Sequence, residues 1–312
     1  MHKLTTGLFL LCIFPLRLIA SEGEEQPIPS TWVDSAHSYT YESVDRLAGW
    51  MDSFFGVPRA DLESAYSSLR INVENEWEEG NGTDEKIKLR GKVHLPRLNK
   101  RLSLVFTDEN DEELDIDSGV SSINDDNDNT KVGLQYNLRE KSNSRVDFGV
   151  GLKSSVKGKA NVRYRYDLPW GDKYLNRFTE TLYFVDTEGF GLRSRYELDR
   201  KLDDDRLVRW SNNARFAEEI DGVHWVTRLT LAERLSKKEA LSRYVWIAGE
   251  TRPEYLTTAY GLGMRYRRNI YRPWLFMELE PAYAWKRKKY EDRREGVVLF
   301  TLRFEVLIER LR

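Results

Sequence analysis

Lys131-Val132-Gly133-Leu134-Gln135-Tyr136-Asn137-Leu138-Arg139 changes character at every step. Val132, Leu134, Tyr136 and Leu138 are apolar, and the residues between them are not. A period of two sends successive side chains to opposite faces of a pleated strand. One face of this segment is therefore oily along its whole length and the other is wet.

The same period runs through most of the chain after Ser64. Leu69, Ile71 and Val73 alternate with Arg70, Asn72 and Glu74, and Val162, Tyr164 and Tyr166 with Arg163, Arg165 and Asp167. Leu262, Met264 and Tyr266 oppose Arg265 and Arg267; Leu302, Phe304 and Val306 oppose Arg303 and Glu305. The pattern predicts about 14 strands, within a range of about 12 to 16. They are placed at 65–77, 86–95, 101–108, 130–139, 145–153, 159–167, 174–185, 189–199, 206–217, 222–234, 241–250, 257–268, 274–286 and 295–308. Segments 174–185 and 241–250 alternate poorly, and the sequence does not assign their faces. Most of the segments exceed the roughly 5–6 residues of an average soluble strand and suit the about 9–11 of a tilted membrane-crossing one.

A soluble sandwich shows the same period, so alternation alone does not decide. Three features favour a membrane. The polar face carries both signs of charge densely, at Arg163, Arg165, Arg193, Arg195, Glu197, Arg265, Glu278, Glu280, Arg303 and Glu305. That set suits a lumen laced with ion pairs. Charge is nearly absent from the apolar face, where a lysine or arginine costs about 2–4 kcal/mol at mid-membrane. Aromatics gather near strand ends, at Trp77, Tyr164, Tyr166, Trp170, Tyr196, Trp210, Tyr266, Trp274 and Trp285, where interfacial girdles sit. Lipid offers exposed backbone no hydrogen-bond partner, so such a sheet must close. The expected fold is all-β: a closed antiparallel transmembrane β-barrel with one N-terminal amphipathic helix.

With 32% charged residues the chain has no apolar run long enough for a membrane-spanning helix. Its longest, Leu8–Leu16, follows the basic Met1–Lys3 and precedes Leu18-Ile19-Ala20, which reads as a signal peptide over 1–20. Cys12, the one cysteine, lies inside it behind Leu11, which is too large for a lipoprotein site. The chain after residue 20 therefore has no thiol chemistry and no disulfide. A formal net charge of −2 gives no reason to expect nucleic acid as a partner. A leader spans 21–63. Within it Val44, Leu47, Ala48, Met51, Phe54 and Phe55 recur at three and four residues, predicting a helix over 40–56. Thr40 or Ser43 can cap it, and Gly56 and Pro58 stop it. The barrel takes 64–312.

The final strand, Gly296-Val297-Val298-Leu299-Phe300-Thr301-Leu302-Arg303-Phe304, completes a pattern that resembles Gram-negative outer-membrane β-barrel proteins. The resemblance covers residues 64–312 at the level of architecture and identifies no functional subfamily. The family's last strand commonly ends on a terminal aromatic; here Phe304 is followed by further residues ending Arg310-Leu311-Arg312. The resemblance implies the outer membrane as location, with its lipids, lipopolysaccharide and the barrel-assembly machinery as partners. Short turns Pro96–Lys100, Glu140–Ser144 and Asn269–Pro273 then face the periplasm, and residues 109–129 and 287–294 face outward. The helix is expected at the periplasmic mouth or on the inner leaflet, because a charged lumen fits its apolar stripe badly.

Site residues beyond the lumen are few. Lys153, Lys157, Lys159, Arg287, Lys288 and Lys289 put positive charge at the outer rim, suited to lipopolysaccharide phosphates. Asp115, Asp117 and Gly119 look like the start of a calcium loop but lack its later bidentate glutamate, so no metal is expected. His37, His94 and His224 have no metal-like spacing. His224 with Ser211 or Asn213 is the one conceivable lipid-hydrolase set, yet its register aims it at the lumen. Gly149-Val150-Gly151 and Gly261-Leu262-Gly263 bare the lumen wall so that large side chains or a plug can approach. No catalytic residue and no cofactor is expected. The function expected is a channel or binding barrel for small polar or ionic solutes. A sealed structural or assembly-linked barrel and a lipid-modifying enzyme are the alternatives.

Overall fold

A computed structural model describes residues 32–56, 67–96, 98–108, 130–141, 143–152, 158–186, 189–252, 255–287 and 293–309. Helix α1 (Trp32–Phe54) precedes the strands β1 (Ser68–Glu78), β2 (Gly82–His94), β3 (Leu102–Asp108), β4 (Thr130–Lys141) and β5 (Ser144–Leu152). There follow β6 (Gly158–Trp170), β7 (Tyr174–Val185), β8 (Gly189–Lys201), β9 (Arg206–Ala217) and β10 (Ile220–Ser236). The chain ends with β11 (Glu239–Glu250), β12 (Leu256–Asn269), β13 (Leu275–Arg287) and β14 (Arg294–Glu309). Each strand pairs antiparallel with its neighbours in sequence, and β14 returns to β1 from Ser68↔Glu309 to Glu78↔Leu299, closing a 14-strand barrel. Closure removes the two edges that an open sheet would present to lipid or to other chains.

The strands lie close to the expected segments. α1 starts earlier than expected, at Trp32 rather than near residue 40. Its first turns hold only Trp32, Val33, Ala36 and Tyr39 as apolar or aromatic residues, a short run within the leader, and Thr40 and Ser43 lie inside the helix instead of capping it. The signal-peptide and calcium-loop readings fall outside the described residues. Among the described residues no helix is long and apolar enough to cross a membrane.

Burial separates the two faces. Arg70, Asn72 and Glu74 of β1 are buried, while Val73 among them and Trp77 further along the strand are exposed. On β4 and β5 Gln135, Arg145 and Asp147 are buried, while Leu134, Phe148 and Val150 are exposed. Charged residues inside and exposed aliphatics and aromatics outside invert a soluble protein, whose interior is apolar. Such a contiguous apolar exterior needs an apolar solvent.

The two segments whose faces the sequence left open now have them. β7 turns Leu175, Arg177, Thr179, Thr181, Tyr183 and Val185 inward, leaving Phe178, Glu180, Leu182 and Phe184 outside. β11 turns Tyr244, Trp246 and Ala248 inward, leaving Val245 and Ile247 outside. Both faces of each strand mix polar and apolar residues, which hid the period.

Turns follow local chemistry. Gly80 (φ 85) and Gly82 (φ 91) take the left-handed conformation in the β1–β2 turn, which favours glycine. Between β8 and β9, Asp203 Oδ1 accepts from the backbone N–H of Asp205 at 3.0 Å and of Arg206 at 2.8 Å. The Arg206 guanidinium adds a hydrogen bond to Oδ2, and together these hold the Asp203 carboxyl below its ordinary pKa.

Candidate functional site

All ten residues expected in the lumen lie on inward-facing positions of their strands. The structure gathers eight of them in two clusters, with Arg163 and Arg193 standing apart on β6 and β8. The larger runs over β12, β13, β14, β1 and β2. Glu305 sits between Arg70 and Arg267, each 2.5 Å away. Arg267 also reaches Glu278 at 3.3 Å, and Arg303 pairs with Glu278 and, at 2.6 Å, with Glu74. Lys88 meets Glu74 at 3.1 Å, and Arg265 binds Glu280 at 2.9 Å and Glu278 at 3.4 Å. The pairing is register made visible: Glu278 lies directly between Arg267 and Arg303 on the adjacent strands.

The second cluster spans β6 to β9. Arg177 contacts Asp167 at 2.9 Å and Glu197 at 3.6 Å, and Arg195 meets Glu197 at 3.1 Å. Arg165 joins through Asp167 at 3.2 Å, and Arg209 binds Asp199 at 2.6 Å. Parity missed Arg177 on its irregular strand, and Arg209, Asp167 and Asp199 were not singled out. Arg70, Glu74 and Arg267 alternate with apolar neighbours in the sequence, and the closed sheet brings them into the same cluster.

α1 joins both clusters at the end of the barrel where β1 begins and β14 finishes. Asp52 pairs with Arg209, and Asp45 lies 3.6 Å from Arg177. At its C-terminus, Arg70 donates to the Ser53 carbonyl at 2.9 Å and Arg90 donates to the Gly56 carbonyl. Cations there satisfy the helix's last carbonyls and complement its dipole. Leu47, Ala48, Met51, Phe54 and Phe55 bury against Leu207, Ala232, Ala240 and Phe276. This apolar collar is one residue from each of four strands, all near the same mouth. The expectation that the wall is too charged for the stripe therefore holds for the barrel's middle but not for its rim. Burying Leu47, Met51, Phe54 and Phe55 contributes about 6–12 kcal/mol before ordering entropy is subtracted.

The upper lumen differs from both clusters. Tyr183 is ringed by cations: the Lys159 ammonium stands 6.0 Å and the Arg193 guanidinium 5.6 Å from its ring centre, and Arg215 donates to its hydroxyl at 3.0 Å. Nearby Gly133, Gly149 and Gly151 bare the wall of β4 and β5, leaving a hollow of about 70 Å³ bordered by Lys159, Asn161 and Arg163. Lys159 thus faces the lumen rather than lipopolysaccharide, whereas Arg287 ends β13 on the outward side. Lys153, Lys157, Lys288 and Lys289 lie outside the described residues. On the opposite wall, inward aromatics fill the space that glycines vacate. A methyl on Gly263 would sit 2.6 Å from the Tyr244 hydroxyl, and one on Gly261 would sit 3.0 Å from Trp246 Nε1. Tyr244 donates to Glu280 at 2.6 Å, tying this apolar wall to the larger ion cluster.

His224 also faces inward. It lies opposite Arg215, with Glu250 3.8 Å away, and β9 carries Asn213 and Ser211 further down the lumen. Lipid outside the wall does not reach that set. Among the described residues no group of His, Cys, Asp or Glu is arranged to hold a metal ion.

An even number of antiparallel strands, a lipid-facing apolar exterior and a charged interior now stand together. This is the architecture of a transmembrane β-barrel. No family model matches the chain, and no curated protein matches it. Among solved structures the chain is similar to a KdgM porin in complex with disordered oligogalacturonate, at 9% identity over 76% of this chain and 98% of that one, with a TM-score of 0.39. It is also similar to OccK11 of Pseudomonas aeruginosa, at 8% identity over 79% and 96% of the two chains (TM-score 0.44). OccAB2 of Acinetobacter baumannii gives 6% identity over 80% and 100%, with a TM-score of 0.45.

Proposed function

We propose that this barrel is a narrow outer-membrane channel for small polar or ionic solutes, favouring anions, with α1 set in its periplasmic mouth. The observation that carries the reading is the upper lumen. There Lys159, Arg163, Arg193 and Arg215 face inward on β6, β8 and β9, beside a wall thinned by glycine. Water-filled barrels of this class are lined by polar side chains, and low-dielectric walls focus the field where one sign is in excess, here the cations over the inward carboxylates of Asp147 and Glu250. An anion entering from outside meets those cations before it meets the balanced clusters below. At the rim, Arg287 and the lysines of the neighbouring loops are suited to lipopolysaccharide phosphates. The assembly machinery handles the chain on its way into the membrane. We assign no catalytic role.

One observation favours a second reading, a sealed structural or assembly-linked barrel: α1 is docked by ion pairs and apolar contact in the very mouth a solute would leave by. Planar-bilayer recording separates the two. The channel reading expects discrete steps from the whole protein, a zero-current potential on the anion side in a salt gradient, and larger steps once residues 32–56 are removed. Silence from heat-modifiable, folded protein of both forms would leave the sealed barrel standing.

A further inference from the structure

Most of the outer wall is uniformly apolar. Between Val132 and Leu138 on β4, and between Val146 and Leu152 on β5, every outward side chain is aliphatic or aromatic. β7 to β10 break that rule. Glu180, Ser194, Asn212 and Thr227 all face outward, each near the middle of its strand. They are neighbours across the sheet: Glu180 lies opposite Ser194, and Asn212 opposite Thr227. Ser194 donates to Glu180 at 2.9 Å, Tyr196 donates to Asn176 Oδ1 at 2.7 Å, and Trp210 Nε1 donates to Thr227 at 2.9 Å. A polar stripe thus crosses four consecutive strands on the face turned toward acyl chains.

Hydrocarbon cannot serve such a stripe. Ser194 fills one of the roughly four acceptor positions of a carboxylate, and each asparagine amide offers two donors and an acceptor. Lipid headgroups lie at strand ends, not at strand middles. Polar side chains at membrane depth are satisfied by protein, and they hold neighbouring elements together when they are. The stripe contains donors and acceptors together, the hydroxyls and amides beside a carboxylate. Two identical stripes related by a two-fold axis can therefore satisfy one another, which a stripe of donors or acceptors alone could not do.

We propose that the outer wall of β7 to β10 is the face through which two copies of this chain pack against each other inside the membrane. The flanking Phe178 and Trp210, both exposed, supply flat apolar surface for that contact. The outer wall does this whether or not the lumen passes solute.

Single cysteines test it in a Cys12→Ser background, which removes the one native thiol. Ser194→Cys, Asn212→Cys and Thr227→Cys are made in turn, with Phe148→Cys on β5 as the distant-wall control. A flexible bis-maleimide is applied to outer membranes, avoiding the short separation a disulfide demands. Heat-modifiable migration on gels confirms that each variant is folded. The expected result is a band at twice the chain mass from at least one stripe position and none from Phe148→Cys. Adding Glu180→Leu should reduce that band severalfold in folded protein. The proposal is overturned if folded stripe variants give no dimer, if Phe148→Cys dimerises equally, or if the adduct has the mass of a different partner protein.

Discussion

Replacing Glu305 by glutamine is expected to destabilise the folded barrel by about 3–5 kcal/mol, the usual cost of removing one member of a buried ion pair. Glu305 is 1% exposed and stands 2.5 Å from both Arg70 and Arg267. Arg267 retains Glu278, but Arg70 loses the carboxylate that stands 2.5 Å from it and stays buried. Lipid-side substitutions show how local this effect is. Glu85→Gln, at an exposed outward position whose contact to Asn75 is 3.4 Å long, should shift stability by no more than about 0.5 kcal/mol. Urea unfolding in lipid, followed by tryptophan fluorescence, measures both. Exchanging Arg70 and Glu305 together for leucine should recover much of the loss, because a well-packed apolar replacement avoids burying a lone charge. A cost below about 1 kcal/mol for Glu305→Gln would mean that the cluster is solvated and does not hold the wall.

The second large effect is on α1. Phe54 stacks on Trp50 with ring centres 4.7 Å apart and meets Phe276 edge-on at 5.7 Å. The Arg267 guanidinium lies 6.0 Å from its ring centre. Phe54→Ala is expected to cost the docked helix about 3–5 kcal/mol, the range for a buried phenylalanine cut to alanine. At 1.4 kcal/mol per factor of ten, that shifts the docked-to-undocked ratio by about two to three and a half orders of magnitude. The barrel itself should keep its urea midpoint, since the strand ladder is complete without the helix. Limited proteolysis should cut the variant within α1 at a rate far above the parent's, with the strands left intact. Equal cleavage rates would show that the collar of Leu207, Ala232, Ala240 and Phe276 does not hold the helix.

How much of this was legible depended on whether a strand divides its chemistry cleanly between its faces. β4 does: Leu134 outside and Gln135 inside announce both the strand and its register. The same parity put Arg265, Glu278, Glu280 and Arg303 on the inner face, while which of them pair is set by the register between strands. β7 does not divide cleanly. Leu175, Tyr183 and Val185 face in and Asn176 and Glu180 face out, so a rule of apolar outside and polar inside cancels. β11 failed likewise, because Tyr244 and Trp246 fill space beside Gly263 and Gly261 on the inner wall. Such filling is a property of the closed barrel and leaves no trace in one strand's pattern. The same holds for Asp45 and Asp52. Their partners, Arg177 and Arg209, lie far away in sequence, and only the placement of α1 in the mouth brings them together.

The account stands on which side of the sheet meets lipid, and spin-label accessibility at two adjacent positions reads that directly. Leu134→Cys and Gln135→Cys, each in the Cys12→Ser background, would carry a nitroxide in the protein reconstituted into bilayers. The label at 134 should relax strongly with oxygen, which concentrates in acyl chains, and weakly with a water-soluble nickel complex. The label at 135 should show little exposure to oxygen. Strong relaxation of both labels by the nickel complex, or the reverse order of the two, would contradict a barrel with its apolar face in the membrane.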